Sequence, residues 1–469
     1  MGPGVQGGVG QKSEACPIPP FPHQKKQNQS ILVTFTLSLS FSALILSNLL
    51  VFSGLPLVLP PGFIIPQAPV GTNVYLARVD NSGNVLWNHT YGSLDRDVGH
   101  SVIECYEGGF AIAGSTDGYG SGSRSMWLVR TDGAGRPRWN QTYGGTGWDE
   151  CHDLVECEDG GLAIVGETFS FGAGESDAVL LKTSLLGDVM WTRTFGDSGI
   201  DIGTSIARCE DGGFAISATT TDVDSGFTDM WLIRTDAFGE VVWNKTFGGQ
   251  YNDGANSVTL CQDGGFLLVG YTQLLDFDLG TLWLVRTDAE GNLIWDHGIR
   301  ESQSQEGWSA IECADGGFAV IGTIEATYNP ADIWFLRVDA EGALVWTQVI
   351  GGSAVVDSLG GYSVLACSDG GFVIAGKFGF EGSQNDLWMA HTNDNGEIDW
   401  SVNYGAFHSG SGFLLAACSD GDYIITGAIN TPTESLSMQA GCSQADSLKL
   451  MTLNERETRF PIASREFEA

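Results

Sequence analysis

Apolar residues come along this chain in short runs separated by glycine and aspartate, without the spacing of an amphipathic helix. Residues 256–298 show the pattern as four segments, NSVTLC, GFLLVGYT, TLWLVRT and NLIWDHG. They are rich in β-branched and aromatic residues and read as strands A, B, C and D. B and C are apolar on both faces, as a sheet requires when it lies between two others. Asp263-Gly264-Gly265 and Asp288-x-x-Gly291 read as hairpin connections. There glycine supplies a positive φ and aspartate bonds back to its own backbone.

The pattern repeats. Cys105, Cys157, Cys209, Cys261, Cys313, Cys367 and Cys418 are spaced 52, 52, 52, 52, 54 and 51 residues apart, each followed by a variant of Asp-Gly-Gly-Phe. Trp87, Trp139, Trp191, Trp243, Trp295, Trp346 and Trp400 keep the same beat, as do Tyr75, Trp127, Val179, Trp231, Trp283, Trp334 and Trp388. A four-stranded unit of about 50 residues, repeated seven times, predicts an all-β, seven-bladed propeller. The array starts at Asn73 with strands C and D and ends near Ile429 with A and B. The last blade is therefore expected to close with N-terminal C–D (73–92) and C-terminal A–B (413–429), because an open solenoid would leave unpaired edges.

These units resemble those of secreted and surface-anchored β-propeller repeat proteins of archaea and bacteria, which read DGGF…WLVRTD..GN..W. The resemblance covers 73–429 and implies the propeller fold. Asp288-x-x-Gly291-x-x-x-Trp295 is also distantly similar to the tryptophan-docking repeat of quinoprotein propellers, where Asp and Gly stand one residue further apart. No adjacent Cys-Cys pair of the kind several quinoprotein dehydrogenases carry is present.

Composition adds a compartment. Net charge is −35 over 469 residues, and residues 1–72 hold only Lys12, Lys25, Lys26 and Glu14, so the acidity belongs to the repeats. Such a surface repels nucleic acid and anionic headgroups and favours cations. Ile31 to Phe52 is uncharged, and the apolar character continues through Leu59. At ~1.5 Å per residue, roughly 20 residues cross a ~30 Å hydrocarbon layer. The run is longer than the ~7–15 residues of a cleaved signal and shows no clear cleavage site. The expected organisation is a short cytoplasmic segment (1–30), a signal-anchor or signal peptide (31–60), a linker (61–72), the propeller (73–430) and a non-repeat polar tail (431–469). One N-terminal transmembrane helix would hold the membrane through 31–57. Lys25 and Lys26 place its N-terminal side in the cytoplasm and the repeats outside. Cleavage would make the protein secreted.

The tryptophans read as packing between blades, and the repeat cysteines as buried free thiols. Arg and Asp of strand C vary together across blades, which reads as a local ion pair or a shared turn. Asn88-His-Thr90, Asn140-Gln-Thr142 and Asn244-Lys-Thr246 are glycosylation sequons on the outer strand, expected to be exposed, whereas Asn28 should stay bare.

The repeats disagree just before each inner strand, and the site candidates lie there. Eight residues before the repeat cysteine stand Asp97, Asp149, Asp201 and Asp253; five before it stand His100, His152, Thr204, Asn256, Trp308, Tyr362 and Phe413. Trp148 falls in the same segment. One arc of the channel mouth would be acidic with two imidazoles and the opposite arc aromatic. Aromatic faces stack on sugars, and the four aspartates could accept hydroxyls or hold Ca²⁺, the one cofactor considered. Alternatively, the aspartates only bond turn backbone and the aromatics fill a narrowing channel.

The expected function is an outward-facing, membrane-anchored, non-catalytic binding module for a surface glycan, peptide or protein. The alternatives are an extracellular glycan hydrolase or lyase using ring carboxylates, and a structural envelope component.

Overall fold

The computed structural model describes residues 71–222, 224–273, 280–301, 304–326, 329–351, 360–378, 386–406 and 414–430. They form seven four-stranded antiparallel sheets. Six follow the chain in the order A-B-C-D; the fourth, for example, runs Asp253–Leu260, Phe266–Gln273, Gly280–Thr287 and Leu293–Ile299. We number these blades 1 to 6 from Asp97. Each A strand packs against the next around a ring, and that of blade 7 packs against that of blade 1.

Blade 7 is composite. Thr72–Val79 pairs with Tyr423–Asn430 in a continuous ladder from Thr72↔Asn430 to Val79↔Tyr423. Val85–Tyr91 and Leu414–Ala417 complete the sheet. The two ends of the array thus close the ring as the phase of the repeats predicts.

The tryptophan beat follows from how blades meet. In each C–D turn a glycine with φ between 75 and 82° lies on the outer-strand tryptophan of the preceding blade. A Cβ on Gly291 would come within 2.6 Å of Trp243, and one on Gly83 within 2.7 Å of Trp400 across the closing joint. Positive φ and close approach both require glycine at this position. The indole also meets the strand B phenylalanine of the next blade, as Trp243 meets Phe266 at 5.9 Å. The preceding aspartate fixes the turn: Asp288 Oδ1 accepts the N–H groups of Glu290 and Asn292 at 3.0 and 2.7 Å.

Two details differ from the sequence reading. In blades 3, 4, 5 and 7 the arginine of strand C pairs with the aspartate of the A–B turn, not with the aspartate two residues on. Arg286 meets Asp263 at 2.6 Å and Arg234 meets Asp211 at 2.6 Å, while Asp288 is occupied by its own turn. Second, the A strands begin earlier than expected. Asp97, Asp149, Asp201 and Asp253 are the first residues of their A strands and not parts of a preceding loop.

The eight cysteines among the described residues are free thiols, six of them buried and Cys313 and Cys367 partly so. No helix among the described residues is long and apolar enough to cross a membrane. The expected anchor (31–60), Asn28, Phe413 and the tail (431–469) lie outside the described residues.

Candidate binding face

The second set of site candidates has a common structural origin. Cross-strand register shifts at Gly99/Ser101, Cys151/Asp153, Gly203/Ser205, Ala255/Ser257, Gly307/Ser309 and Gly361/Ser363. The extra residue of each bulge is therefore His100, His152, Thr204, Asn256, Trp308 or Tyr362. A bulge frees one side chain from the alternation of its strand and re-aims it, here at the same level of the inner strands of blades 1 to 6.

Neighbours in this series touch across blades. His100 and His152 stack with centroids 5.7 Å apart, and Trp308 meets Tyr362 edge-on at 5.3 Å. Asn256 Nδ2 donates to Glu306 Oε1 at 2.9 Å and to the Gly307 carbonyl at 2.8 Å. The two imidazoles thus meet one another, as do Trp308 and Tyr362.

The four aspartates are less accessible than the arcs. They are 0, 0, 0 and 3% exposed, and each is bonded within the turn that leads into its own strand. Asp149 accepts from the Gly145 N–H at 2.8 Å, from Ser170 Oγ at 2.6 Å and from Thr168 Oγ1. Asp201 holds the Asp197 N–H at 3.0 Å, Asp253 that of Gly249 at 3.0 Å, and Asp97 that of Ser93. A ligand or Ca²⁺ would have to displace these bonds.

A dense polar site lies between blades 1 and 2. Trp148, Glu150 and His152 are alternate residues entering and forming one inner strand. Trp148 Nε1 donates to Glu150 Oε2 at 3.1 Å, and the Arg124 guanidinium lies over the indole, 3.8 Å from its centroid. Arg124 Nη1 also reaches Glu150 Oε2 at 3.1 Å, and its Nε meets Asp117 at 2.7 Å. His100 Nε2 lies 2.7 Å from Glu150 Oε1, and Ser115 Oγ donates to the same oxygen at 3.2 Å. Glu150 and Arg124 are buried, yet Trp148 is 41% exposed. His152 Nε2 is buried without a hydrogen-bond partner among the described residues.

Charge is arranged asymmetrically there. Burial alone would raise the Glu150 carboxyl, but His100, His152 and Arg124 outweigh it and hold the group well below the usual carboxylate range. Its cross-strand partner is Glu167. Burial and then the Glu150 charge push Glu167 up to about 7. Burial, followed by the His100 charge, lowers His152 to about 4.

Sequence reading missed Arg124, Glu150, Asp153 and Glu167. Their signal was departure from the repeat. Glu150 stands where blades 1, 3, 4 and 6 have Val98, Ile202, Gly254 and Gly360, blade 5 alone sharing it as Glu306, and Glu167 where blade 1 has Ser115 and blade 3 Thr219. Asp153 replaces a serine found in blades 1 and 3 to 6. It ties three blades together, accepting from Ser101 Oγ at 2.8 Å and Ser205 Oγ at 2.9 Å.

The sequon asparagines are all exposed on their outer strands. Asn140 and Asn244 also accept the strand C indole N–H, of Trp127 at 3.3 Å and Trp231 at 3.2 Å. Asp296 does the same for Trp283. That bond uses the amide oxygen and leaves the nitrogen, the point of glycosylation, outside it.

The sequence matches no known family model. A curated relative, the regulatory protein FlaEY of Caulobacter vibrioides, is 27% identical over 125 residues, which is 24% of this chain and 13% of that protein. The alignment thus spans a small part of either. Among solved structures, the ulvan lyase of polysaccharide lyase family PL25 is similar with a TM-score of 0.50 at 9% identity, covering 69% of this chain and 88% of that one. The quinohemoprotein alcohol dehydrogenase ADHIIG of Pseudomonas putida HK5 is a more distant neighbour, with a TM-score of 0.40 at 10% identity over 78% of this chain and 72% of that one. At 9% identity the likeness to the lyase is one of fold alone.

Proposed function

We propose that this protein is a cell-surface binding module that takes a glycan on the face between blades 1 and 2. The observation that carries this reading is Trp148, a half-exposed indole held rigid over a buried, charge-balanced knot. Arg124 and Glu150 fix its orientation, so little side-chain entropy remains to be lost when a sugar ring stacks on it. Asp117 beside it, its side chain 30% exposed, offers acceptors for sugar hydroxyls. The charge of the repeats and the exposed sequons support an outward-facing propeller, and residues 31–60 would supply the anchor.

The test is a glycan array with the full chain in detergent, followed by Trp148→Ala. A tenfold or greater loss of affinity (~1.4 kcal/mol or more) with unchanged melting is expected. No glycan bound, or binding indifferent to Trp148→Ala, overturns the reading.

One observation favours a second reading. Glu150 and Glu167 are cross-strand partners with divergent proton affinities, and such pairs divide acid and base roles in catalysis. Glu167 would be the proton donor. Turnover of a bound glycan, abolished by Glu167→Gln, would establish the enzyme; binding without turnover leaves the module.

A further inference from the structure

The geometry points to a zinc-type metal site on blade 6, formed by Cys367, Asp369 and His391 on the opposite face of the ring from Trp148. One donor atom from each residue lies within 4.8 Å of the others, the one such convergence of three His, Cys, Asp or Glu donors among the described residues.

The other blades provide an internal control. Cysteine recurs at this place in every blade, and an acidic residue two positions after it. The third position is a cation in the other six: Arg78, Arg130, Lys182, Arg234, Arg286 and Arg337. A fixed positive charge beside the carboxylate excludes a metal ion, as Arg286 does at Asp263. His391 stands there in blade 6, with Nε2 3.1 Å from Asp369. Imidazole can be neutral and offers a lone pair, which guanidinium cannot.

A second substitution accompanies the first. Asp399 occupies a position held elsewhere by Leu86, Arg138, Met190, Val242, Ile294 and Val345. It lies 3.1 Å from His391 Nδ1, and the ring is also stacked on Trp400 at 5.8 Å. Nδ1–H donating to a carboxylate leaves Nε2 as the ligand atom, the usual outer support of a metal-bound histidine. A histidine that only replaced arginine as partner of Asp369 would need no second carboxylate.

Sulfur, nitrogen and oxygen donors suit Zn²⁺. Cys367 would lose its thiol proton to solvent as the sulfur–metal bond forms. Three protein ligands leave a fourth position to water, and Asp369, 61% exposed at its side chain, opens the site to solvent. Typical Zn–S and Zn–N bonds of ~2.3 and ~2.0 Å require the three donors to draw together by about an ångström.

The experiment titrates the full reduced chain, carrying no polyhistidine tag, with Co²⁺ and then Zn²⁺. Expected are one equivalent of Co²⁺, a thiolate-to-cobalt charge-transfer band, tetrahedral d–d bands, and displacement by Zn²⁺. His391→Arg restores the arrangement of the other blades, so it should fold and lose affinity at least ~100-fold; Cys367→Ala should lose the charge-transfer band. Asp399→Asn should weaken binding ~10–100-fold. Absence of a thiolate band in the parent, or its persistence in folded His391→Arg, overturns the proposal.

Discussion

Burial moves Glu167 up to about 7 and His152 down to about 4, and the two act on stability in opposite directions. Between its ordinary value of 4.5 and about 7, folded Glu167 keeps a proton that the unfolded chain releases. Its contribution to stability is therefore lost as pH rises through that window. His152 refuses a proton that the unfolded chain takes up below 6.5, so its contribution is lost as pH falls from about 6.5 towards 4. Glu167→Gln removes only the first effect. It should raise the melting temperature at pH 8, by an amount equivalent to about 1–3 kcal/mol, and change little at pH 4.5, where Glu167 is already neutral. Melting curves at the two pH values check this; equal gains at both would mean that Glu167 is not held protonated by the fold. Little of this was legible beforehand. The four aspartates attracted notice because they recur, and recurrence proved to mark turn bracing. Glu150 and Glu167 occur together in blade 2 alone, and only strand pairing shows that they face one another.

At the scale of the element, Asp-x-x-Gly-x-x-x-Trp was readable as a turn and a strand, but not as a joint between blades. Asp288 bonds its own backbone, so periodicity within the repeat finds it. Gly291 answers to Trp243, a residue of the preceding repeat, which local pattern cannot reveal. The joint can be separated from backbone strain by two glycines of equal φ, +76°. A Cβ on Gly239 would meet Trp191 at 2.7 Å, whereas one on Gly226 meets nothing within 4 Å. Both alanine variants should lose ~1 kcal/mol to the positive φ, and Gly239→Ala a further ~1–3 kcal/mol to overpacking. Denaturant melts of the pair give the difference directly; equal losses would show that the indole yields. The bulges were hidden for a related reason. A bulge is defined by its partner strand, so the repeat assigns His100 through Tyr362 one position without marking each as the unpaired residue.

Closure is a property of the whole chain, and it was the most legible feature because it depends on phase alone. Seven repeats that begin with C and end with B leave two half-blades, and pairing Thr72–Val79 with Tyr423–Asn430 satisfies both. The joint repeats what the other blades do. Gly83 lies on Trp400, Tyr404 Oη donates to the Gly83 carbonyl at 2.9 Å, and Arg78 pairs with Asp420. It differs in one respect: no peptide connection links strands B and C of blade 7. Deleting 72–91 should therefore remove two of the four strands of blade 7 and expose the whole edge of Tyr423–Asn430. An exposed apolar edge of this kind recruits other chains. The expected result is aggregation or loss of a single cooperative transition, seen by calorimetry and light scattering, while deletion of 435–469 leaves melting unchanged. A 72–91 deletion that melts as the parent does would show that the six continuous blades hold the ring without the seventh.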